Sequence, residues 1–355
     1  MVGDLCGVHA QVATAAELSI GVRVETGRSQ VRAALWERRV LVRTYGVRGT
    51  IHLFPARELP LWMAARRARA ALRSAEDARR LREMGLGPGQ LEELVAAAAE
   101  ALDGRQLTLG ELGAEIVART GPWAAESANV AWVTGWPNWR RALGEAALRG
   151  LLCFGPNRGA QVTVVRPDQW LGDWQDVDPD AALRQVFKRY LATYGPASPA
   201  HFAQWFDLPV SAVKGLAGSL GEELDGVLVE GEPLLLPSGE LRDEAEPSPQ
   251  ASVRLLPHFD CYLRGFHPRE RLVAGHGERA AGGTGSFPVL LVEGRVAGVW
   301  ERRQRGRRVE VRVDPFRRLG RPLQSLLEAE AARIGAFDGV PAELSIGPVE
   351  VRPHL

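Results

Sequence analysis

The side chains most often used as nucleophiles and metal ligands are few in this chain of 355 residues. The three cysteines are far apart and show no CxxC spacing, so they predict buried, reduced thiols rather than a disulfide or zinc framework. They are Cys6, Cys153 and Cys261. His258, His267 and His276 lie near Cys261, but their spacing matches no common zinc pattern. Because phosphate-binding loops and nucleophile elbows are also absent from the sequence, we expect neither metal nor other cofactor.

Arginine is concentrated where it could bind phosphate. The segment 301–308 places five arginines within seven residues around a turn at Gly306. Such a loop suits phosphate tracking or insertion into a narrow minor groove, although a charged surface hairpin would show the same pattern. The five are Arg302, Arg303, Arg305, Arg307 and Arg308. Lysine is nearly absent, since only Lys188 and Lys214 occur, so few amines are available for chemistry.

The charge is unevenly distributed although the formal net charge is only +1. Residues 1–80 carry a net +7 and residues 251–355 a net +5, whereas 81–180 and 181–250 carry −6 and −5. The two basic ends could form a positive channel for nucleic acid if they meet in space. Charge scattered over several solvated faces explains the same numbers equally well.

Three similar segments supply the elements that must position these residues. Each combines an amphipathic helix, an apolar strand, a glycine-containing turn and a second apolar strand that closes on proline. These helices are predicted at 29–39, 138–150 and 210–220, and the prolines are Pro55, Pro167 and Pro237. Further helices are predicted upstream, at 15–25, 89–104, 107–120, 180–195 and 198–206. Three helices followed by a two-stranded wing are the winged-helix variant of helix-turn-helix.

The C-terminal region differs from the three repeats. Alternating strands with tight turns at Glu293-Gly294 and Gln304–Gly306 predict a β-meander or small barrel, followed by a helix at 322–339 and a last strand. The predicted fold class is therefore α+β, with three tandem winged-helix units and a C-terminal β-domain. The predicted domains are 1–85, 86–175, 176–248 and 249–355. The first helix of the first unit would have to lie mostly before Met1, which suggests an internal or mis-assigned start.

The first predicted wing carries three candidate DNA-binding residues. Arg43 and Arg48 flank it and are the expected phosphate contacts, with a solvated turn as the alternative. His52 lies on its second strand, where it could contact a phosphate or approach the N-terminal block around His9. A strand histidine whose hydrogen bonds are satisfied locally is an equally good interpretation of His52.

Several blocks, in the same order through nearly the whole chain, resemble the AlkZ/YcaQ-type DNA glycosylases. They are LCGVHAQVATAAEL at 5–18, ALWERRVLVRTYGVRGTIHL at 34–53, LLCFGPNRGAQVTVVRPDQW at 151–170, LLPHFDCYLRGF at 255–266 and GRVAGVWERRQRGRRVEV at 294–311. The resemblance implies tandem winged helices with a C-terminal β-domain, and hydrolysis of the glycosidic bond of alkylated purines in double-stranded DNA. The adducts are often bulky or are interstrand crosslinks, and some members protect antibiotic producers from their own DNA-alkylating product.

The family's catalytic signature is usually Gln, an apolar residue, then Gln or Asp, and the matching tripeptide here is His9-Ala10-Gln11. In an extended or turn segment, residues i and i+2 project to the same side, so His9 and Gln11 could hold one water together. A neutral imidazole offers an acceptor nitrogen, and the Gln11 amide offers an acceptor and a donor. A helix-capping His9 and a Gln11 bonded to a loop carbonyl are the structural alternative.

The sequence thus predicts a monofunctional glycosylase for cationic, alkylated purines, with His9 and Gln11 as catalytic residues. Because His9 replaces the usual Gln, a non-catalytic winged-helix regulator and a protein that sequesters the free alkylating agent are alternatives. No apolar run reaches the roughly eighteen residues that span a bilayer, and no signal peptide is evident. We therefore expect a cytoplasmic monomer that binds double-stranded DNA and no membrane.

Overall fold

The computed structural model describes residues 1–83, 85–127, 135–172, 175–240, 251–273 and 287–350. The chain divides into two compact units that alternate along the sequence. The first unit comprises residues 1–34, 188–205 and 217–355, and the second comprises 35–187 and 206–216. Both contain helices and strands, so the α+β fold class is confirmed. No helix within the described ranges is long and apolar enough to cross a membrane.

The helices and strands are numbered along the chain. The helices are α1 (Ala13–Gly21), α2 (Arg28–Trp36), α3 (Leu59–Leu72), α4 (Ser74–Glu83), α5 (Pro88–Ala101), α6 (Leu109–Thr120), α7 (Ala142–Leu148), α8 (Pro167–Leu171), α9 (Pro179–Tyr194), α10 (Pro199–Phe206), α11 (Val210–Leu220), α12 (Cys261–Gly265), α13 (Glu270–Val273) and α14 (Arg321–Asp338). The strands are β1 (Val8–His9), β2 (Leu41–Tyr45), β3 (Ile51–Pro55), β4 (Leu107–Thr108), β5 (Cys153–Arg158), β6 (Gln161–Val165), β7 (Leu224–Val229), β8 (Glu232–Pro237), β9 (Val253–Leu256), β10 (Val289–Val292), β11 (Arg295–Arg305), β12 (Arg308–Pro315) and β13 (Ala342–Ile346).

In the second unit, the first two predicted hairpins share one sheet. Strand β2 pairs antiparallel with β3, from Leu41 opposite Pro55 to Tyr45 opposite Ile51. Strand β5 pairs antiparallel with β6, and Arg43 of β2 lies opposite Phe154 of β5. Within this unit the strand order is β3-β2-β5-β6-β4. The two predicted wings are therefore joined edge to edge.

Helices α5, α6 and α7 pack on this sheet through one apolar core. Leu94, Ala98 and Leu102 follow one another at four-residue spacing, which puts them on one face, and all three are fully buried. Gly113 of α6 lies against the indole of Trp139, because a Cβ built on it would come within 2.6 Å of the ring. Glycine at this position allows α6 to approach the tryptophan closely.

In the first unit, β9 to β12 form the predicted antiparallel meander, and β13 adds to β12 in parallel. The strand order β13-β12-β11-β10-β9 leaves two edges, so the described residues form an open sheet and no closed barrel. Val309, Val311 and Val313 are buried at every second position of β12, as expected for one covered face. Helix α14 packs against β9, β12 and β13. The third predicted hairpin, β7 with β8, is a separate two-stranded sheet.

Two glycines of α6 provide a test of this packing. We expect Gly113→Ala to destabilise the protein by about 1–3 kcal/mol, because the added methyl must displace Trp139. Gly110, on the same helix, has no atom within 4 Å of a built Cβ. Gly110→Ala is therefore expected to be neutral or stabilising by up to ~1 kcal/mol. Urea unfolding measures both, and equal effects of the two substitutions would contradict the close approach of α6 to Trp139.

Candidate active site

The backbone turns sharply just before the predicted catalytic tripeptide. Cys6 and Gly7 have φ angles of 56° and 90°, in the left-handed region that non-glycine residues such as cysteine rarely adopt. Two side chains at the end of α9 donate hydrogen bonds to the backbone of this turn. The Tyr194 hydroxyl donates to the Leu5 carbonyl at 2.7 Å, and the Thr193 hydroxyl donates to the Asp4 carbonyl at 2.6 Å. A backbone strained and fixed in this way is typical of functional sites.

His9 is buried and packs against an aromatic ring. It lies on β1 with only 6% of its surface exposed. Its ring centre is 4.7 Å from that of Phe259, with an angle of 32° between the ring planes. Phe259 itself has a left-handed φ of 58°, and the Arg264 guanidinium lies 5.5 Å from the centre of its ring. The imidazole is therefore held in a defined plane by its neighbour.

Gln11 differs from His9 in its exposure. Ala10 between them is fully buried, and Gln11 lies at the surface immediately before α1. The predicted pair therefore consists of one buried ring and one exposed amide on adjoining backbone.

A buried ion pair fixes α1 to the segment that carries Phe259. The Asp260 carboxylate is completely buried, and Arg23 donates to both of its oxygens, at 2.6 and 2.9 Å. The Ser19 hydroxyl donates at 2.6 Å and the Tyr262 backbone amide at 2.9 Å, so Asp260 also caps α12. Burial lowers the pKa of Arg23, but the attraction of Asp260 outweighs it and raises this pKa above its usual value. Arg23 therefore stays protonated at physiological pH.

A second set of buried charges links α1 to the arginine-rich hairpin. Glu17 of α1 is 6% exposed and bonds both Arg28 and Arg32, the latter at 2.8 Å. Arg28 also donates to Asp338 at the end of α14, at 2.7 Å. Asp338 in turn accepts from Arg302 of β11 at 2.8 Å. The guanidinium of Arg302, which the sequence assigned to DNA binding, is therefore bound inside this network.

The other four arginines of the predicted hairpin are exposed on β11, β12 and the turn between them. Three of them form ion pairs with glutamates: Arg303–Glu301 at 3.0 Å, Arg305–Glu310 at 3.2 Å and Arg308–Glu343 at 2.8 Å. Arg307 has no ion-pair partner among the residues that the structure describes. Exposed pairs contribute only ~0–1 kcal/mol, so a phosphate can compete for these arginines.

The candidate residues of the first wing lie in different environments. Arg48 is exposed at the tip of the β2–β3 hairpin, with a left-handed φ of 56°. Arg43 is buried, and its guanidinium lies 4.8 Å from the centre of the Phe154 ring. His52 is also buried, with Nδ1 3.0 Å from the Thr50 carbonyl. Arg48 therefore offers the more accessible phosphate contact.

The cysteines and the C-terminal histidines do not form a shared site in the described part of the chain. All three cysteines are free and buried, as predicted. Burial raises the pKa of Cys261 to about 12 and that of Cys153 above the usual range, so both remain protonated thiols. His267 is buried beside His201, and His276 lies outside the described residues. Groups of three or more metal-ligating side chains are absent from the described ranges.

Sequence reasoning did not identify Phe259 or the Asp260–Arg23 pair as parts of this site. His9 and Phe259 are 250 positions apart in the chain. Local periodicity cannot pair residues that are so distant in sequence. One available signal was the pair of polar residues, Glu17 and Ser19, in the otherwise apolar helix α1, since buried polar groups require partners.

Comparison with known proteins identifies the family of this chain. The family described as DNA glycosylase AlkZ-like matches residues 2–337. An interstrand DNA cross-link repair glycosylase of Streptomyces sahachiroi is 33% identical over 350 residues, which cover 96% of this chain and 90% of the relative. The solved structure of the Streptomyces sahachiroi DNA glycosylase AlkZ superposes with a TM-score of 0.77 at 32% identity, over 97% of this chain and 92% of that one. The resemblance found in the sequence blocks is confirmed, and the chain belongs to the AlkZ-like DNA glycosylase family.

Proposed function

We propose that this glycosylase hydrolyses the N-glycosidic bond of alkylated, positively charged purines in double-stranded DNA. The observation that carries the proposal is His9, which is buried against Phe259 and followed at once by the exposed Gln11. Cleavage at a deoxynucleotide passes through a state in which positive charge grows on the sugar. A purine alkylated on a ring nitrogen is already cationic, so it leaves as a neutral base without being protonated.

The remaining task is to place a water molecule and to accept its proton. In the proposed mechanism, the Gln11 amide orients the water and its oxygen attacks the anomeric carbon. The bond from that carbon to the purine nitrogen breaks, and its electron pair neutralises the purine cation. The proton of the water passes to a nitrogen of His9. An abasic but uncut strand results.

The setting of the reaction is part of the same proposal. The relative from Streptomyces sahachiroi is named for interstrand cross-link repair, which favours bulky adducts as substrates here and a role in crosslink repair or antibiotic self-resistance. We propose a cytoplasmic monomer whose three helix–hairpin segments are winged helices. Family membership and the buried His9 favour this enzyme over a non-catalytic regulator.

We assign DNA binding to two exposed regions that contain arginines. One is Arg48 at the tip of the first wing, and the other is the β11–β12 hairpin. Arg43 and His52 are buried and the Arg302 guanidinium is bound to Asp338, so these three are assigned a supporting role. Helix-turn-helix proteins place helices in the major groove and use wings and loops on the backbone. Residues 303–308 of this hairpin are exposed to solvent.

We expect His9→Ala and Gln11→Ala each to lower the excision rate by at least about a hundredfold, the usual effect of losing an acid–base group. Folding and affinity for undamaged duplex should stay near those of the native protein. His9→Gln, which restores the residue more common in the family, should retain more activity than His9→Ala. Release of 7-methylguanine from alkylated duplex measures all three. Full activity of the double alanine variant would remove this site from the mechanism.

Neutralising Arg303, Arg305 and Arg307 together should weaken DNA binding and flatten its salt dependence. Each lost phosphate contact reduces the slope of log affinity against log salt by about one. Replacing Arg79, Arg80 and Arg82, three arginines of α4, removes the same charge elsewhere and should leave the slope nearly unchanged. Fluorescence anisotropy at several salt concentrations gives both slopes. If the hairpin variant keeps the native slope, the hairpin lies away from DNA.

The scarcity of amines predicts simple hydrolysis without strand cleavage. A bifunctional glycosylase needs an amine that forms a Schiff base with the sugar. Lys188 forms an ion pair with Glu223 at 2.6 Å, and Lys214 lies in α11, far in sequence from the tripeptide. We expect no borohydride-trapped adduct and no release of uracil, a neutral base that leaves poorly unless it is protonated. Trapping or efficient uracil release in gel assays would contradict the mechanism.

A further inference from the structure

A cavity of about 430 Å³ opens beside the candidate active site, entirely within the first unit. One wall is formed by the first turns of α1, and the opposite walls by the segment after β9, by β11 and by the residues that follow β13. Its apolar lining consists of Val12, Ala15, Leu18, Pro257, Phe287, Pro288, Trp300 and Val349. Its polar lining consists of Thr14, His258, Glu301, Arg302, Arg303 and Glu350.

Two residues of the cavity lining adjoin the candidate site in the sequence. Val12 follows Gln11 directly, and His258 precedes Phe259 directly. The two segments that bring His9 and Phe259 together at 4.7 Å therefore continue as two of the cavity walls. A base bound with its sugar at His9 could extend a substituent into this space.

The size and lining of the cavity indicate what it holds. Its volume lies within the ~300–1,000 Å³ of pockets that bind drug-sized ligands, and a methyl group would leave it almost empty. The indole NH of Trp300 donates to the Leu256 carbonyl at 2.8 Å, so this side chain presents an apolar ring rather than a hydrogen-bond donor. Arg302 donates to Asp338 and Arg303 pairs with Glu301, so the charges of these two lining residues are largely balanced.

We propose that this cavity binds the substituent of the alkylated purine and selects large, mainly apolar adducts over small ones. The assignment rests on the proposed function, since it needs a base presented at His9. An uncharged, ring-containing group that also carries hydrogen-bonding atoms matches this mixed apolar and polar lining. Binding energy from such a remote group is used to position the sugar, so it increases the rate as well as the affinity.

The test compares two adducts that differ only in the size of the substituent. Single-turnover excision is measured on duplexes with one 7-benzylguanine or one 7-methylguanine, and the ratio of the two rates is taken. Thr14 is exposed in the first turn of α1 and lines the cavity, so Thr14→Trp fills its mouth without entering the core. Val349→Trp fills the cavity from the opposite wall. Ala13→Trp, on the same helix but outside the lining, is the matched control.

Thr14→Trp and Val349→Trp should each lower the benzyl-to-methyl ratio by at least about tenfold, since pocket contacts of this kind discriminate by ~10–200-fold. Ala13→Trp should leave the ratio within about twofold of the native value, a difference of ~0.4 kcal/mol. If both cavity variants keep the native ratio while the native protein excises both bases, the cavity assignment is wrong and the proposed function stands. If the native protein releases neither base, the proposed function fails and the cavity assignment fails with it.

Discussion

The burial of the Asp260 carboxylate constrains the rest of the first unit. Removing a carboxylate from water costs several kcal/mol, and this cost is offset only by a close countercharge and a complete set of hydrogen bonds. The Asp260 carboxylate accepts five hydrogen bonds, two from Arg23 and one each from Ser19, the Tyr262 amide and the Cys261 thiol. Two of these donors are side chains of α1 or of the residues just after it. A shift of α1 would therefore leave the buried carboxylate without its countercharge and with fewer hydrogen bonds.

The position of this ion pair in the sequence explains why it matters for the site. The tripeptide His9-Ala10-Gln11 lies just before α1, and Phe259 is the residue before Asp260. Fixing α1 to Asp260 thus fixes His9 against Phe259. The Glu17–Arg28–Asp338–Arg302 chain fixes the same helix to α14 and β11. Two of the cavity walls, α1 and β11, are consequently fixed in place by ion pairs that are wholly or partly buried.

Much of the secondary structure could be predicted because it depends on local pattern. The helix predicted at 210–220 is observed as Val210–Leu220, and the one at 322–339 as Arg321–Asp338. Helix α4 was missed because its sequence, SAEDARRLRE, is mostly charged, and its only apolar residues, Ala75, Ala78 and Leu81, make a weak stripe. The closed barrel, one of two predicted forms of the β-domain, is not formed by the residues that the structure describes. The last strand instead pairs in parallel with β12 after the α14 crossover, and local alternation does not specify such a pairing.

The site was predictable only in part, because the sequence blocks give the identity of its residues but not their surroundings. The tripeptide could be found from the family's sequence blocks, but the exposure of each side chain depends on contacts made elsewhere in the fold. Phe259 sets the plane of the His9 ring, and a ring with a fixed plane has nitrogens that point in fixed directions. The longer, exposed Gln11 amide can adjust to its substrate.

In the proposed mechanism, replacement of the family's usual glutamine by histidine pairs a rigid proton acceptor with an adjustable amide. In a reaction whose leaving groups differ in size, the position of the water relative to the sugar must stay constant while the base varies. In the proposed mechanism, Gln11 and the buried His9 together meet the first requirement, and a separate cavity for the substituent meets the second. We propose that the separation of these two tasks keeps the water in place while the cavity selects large substituents.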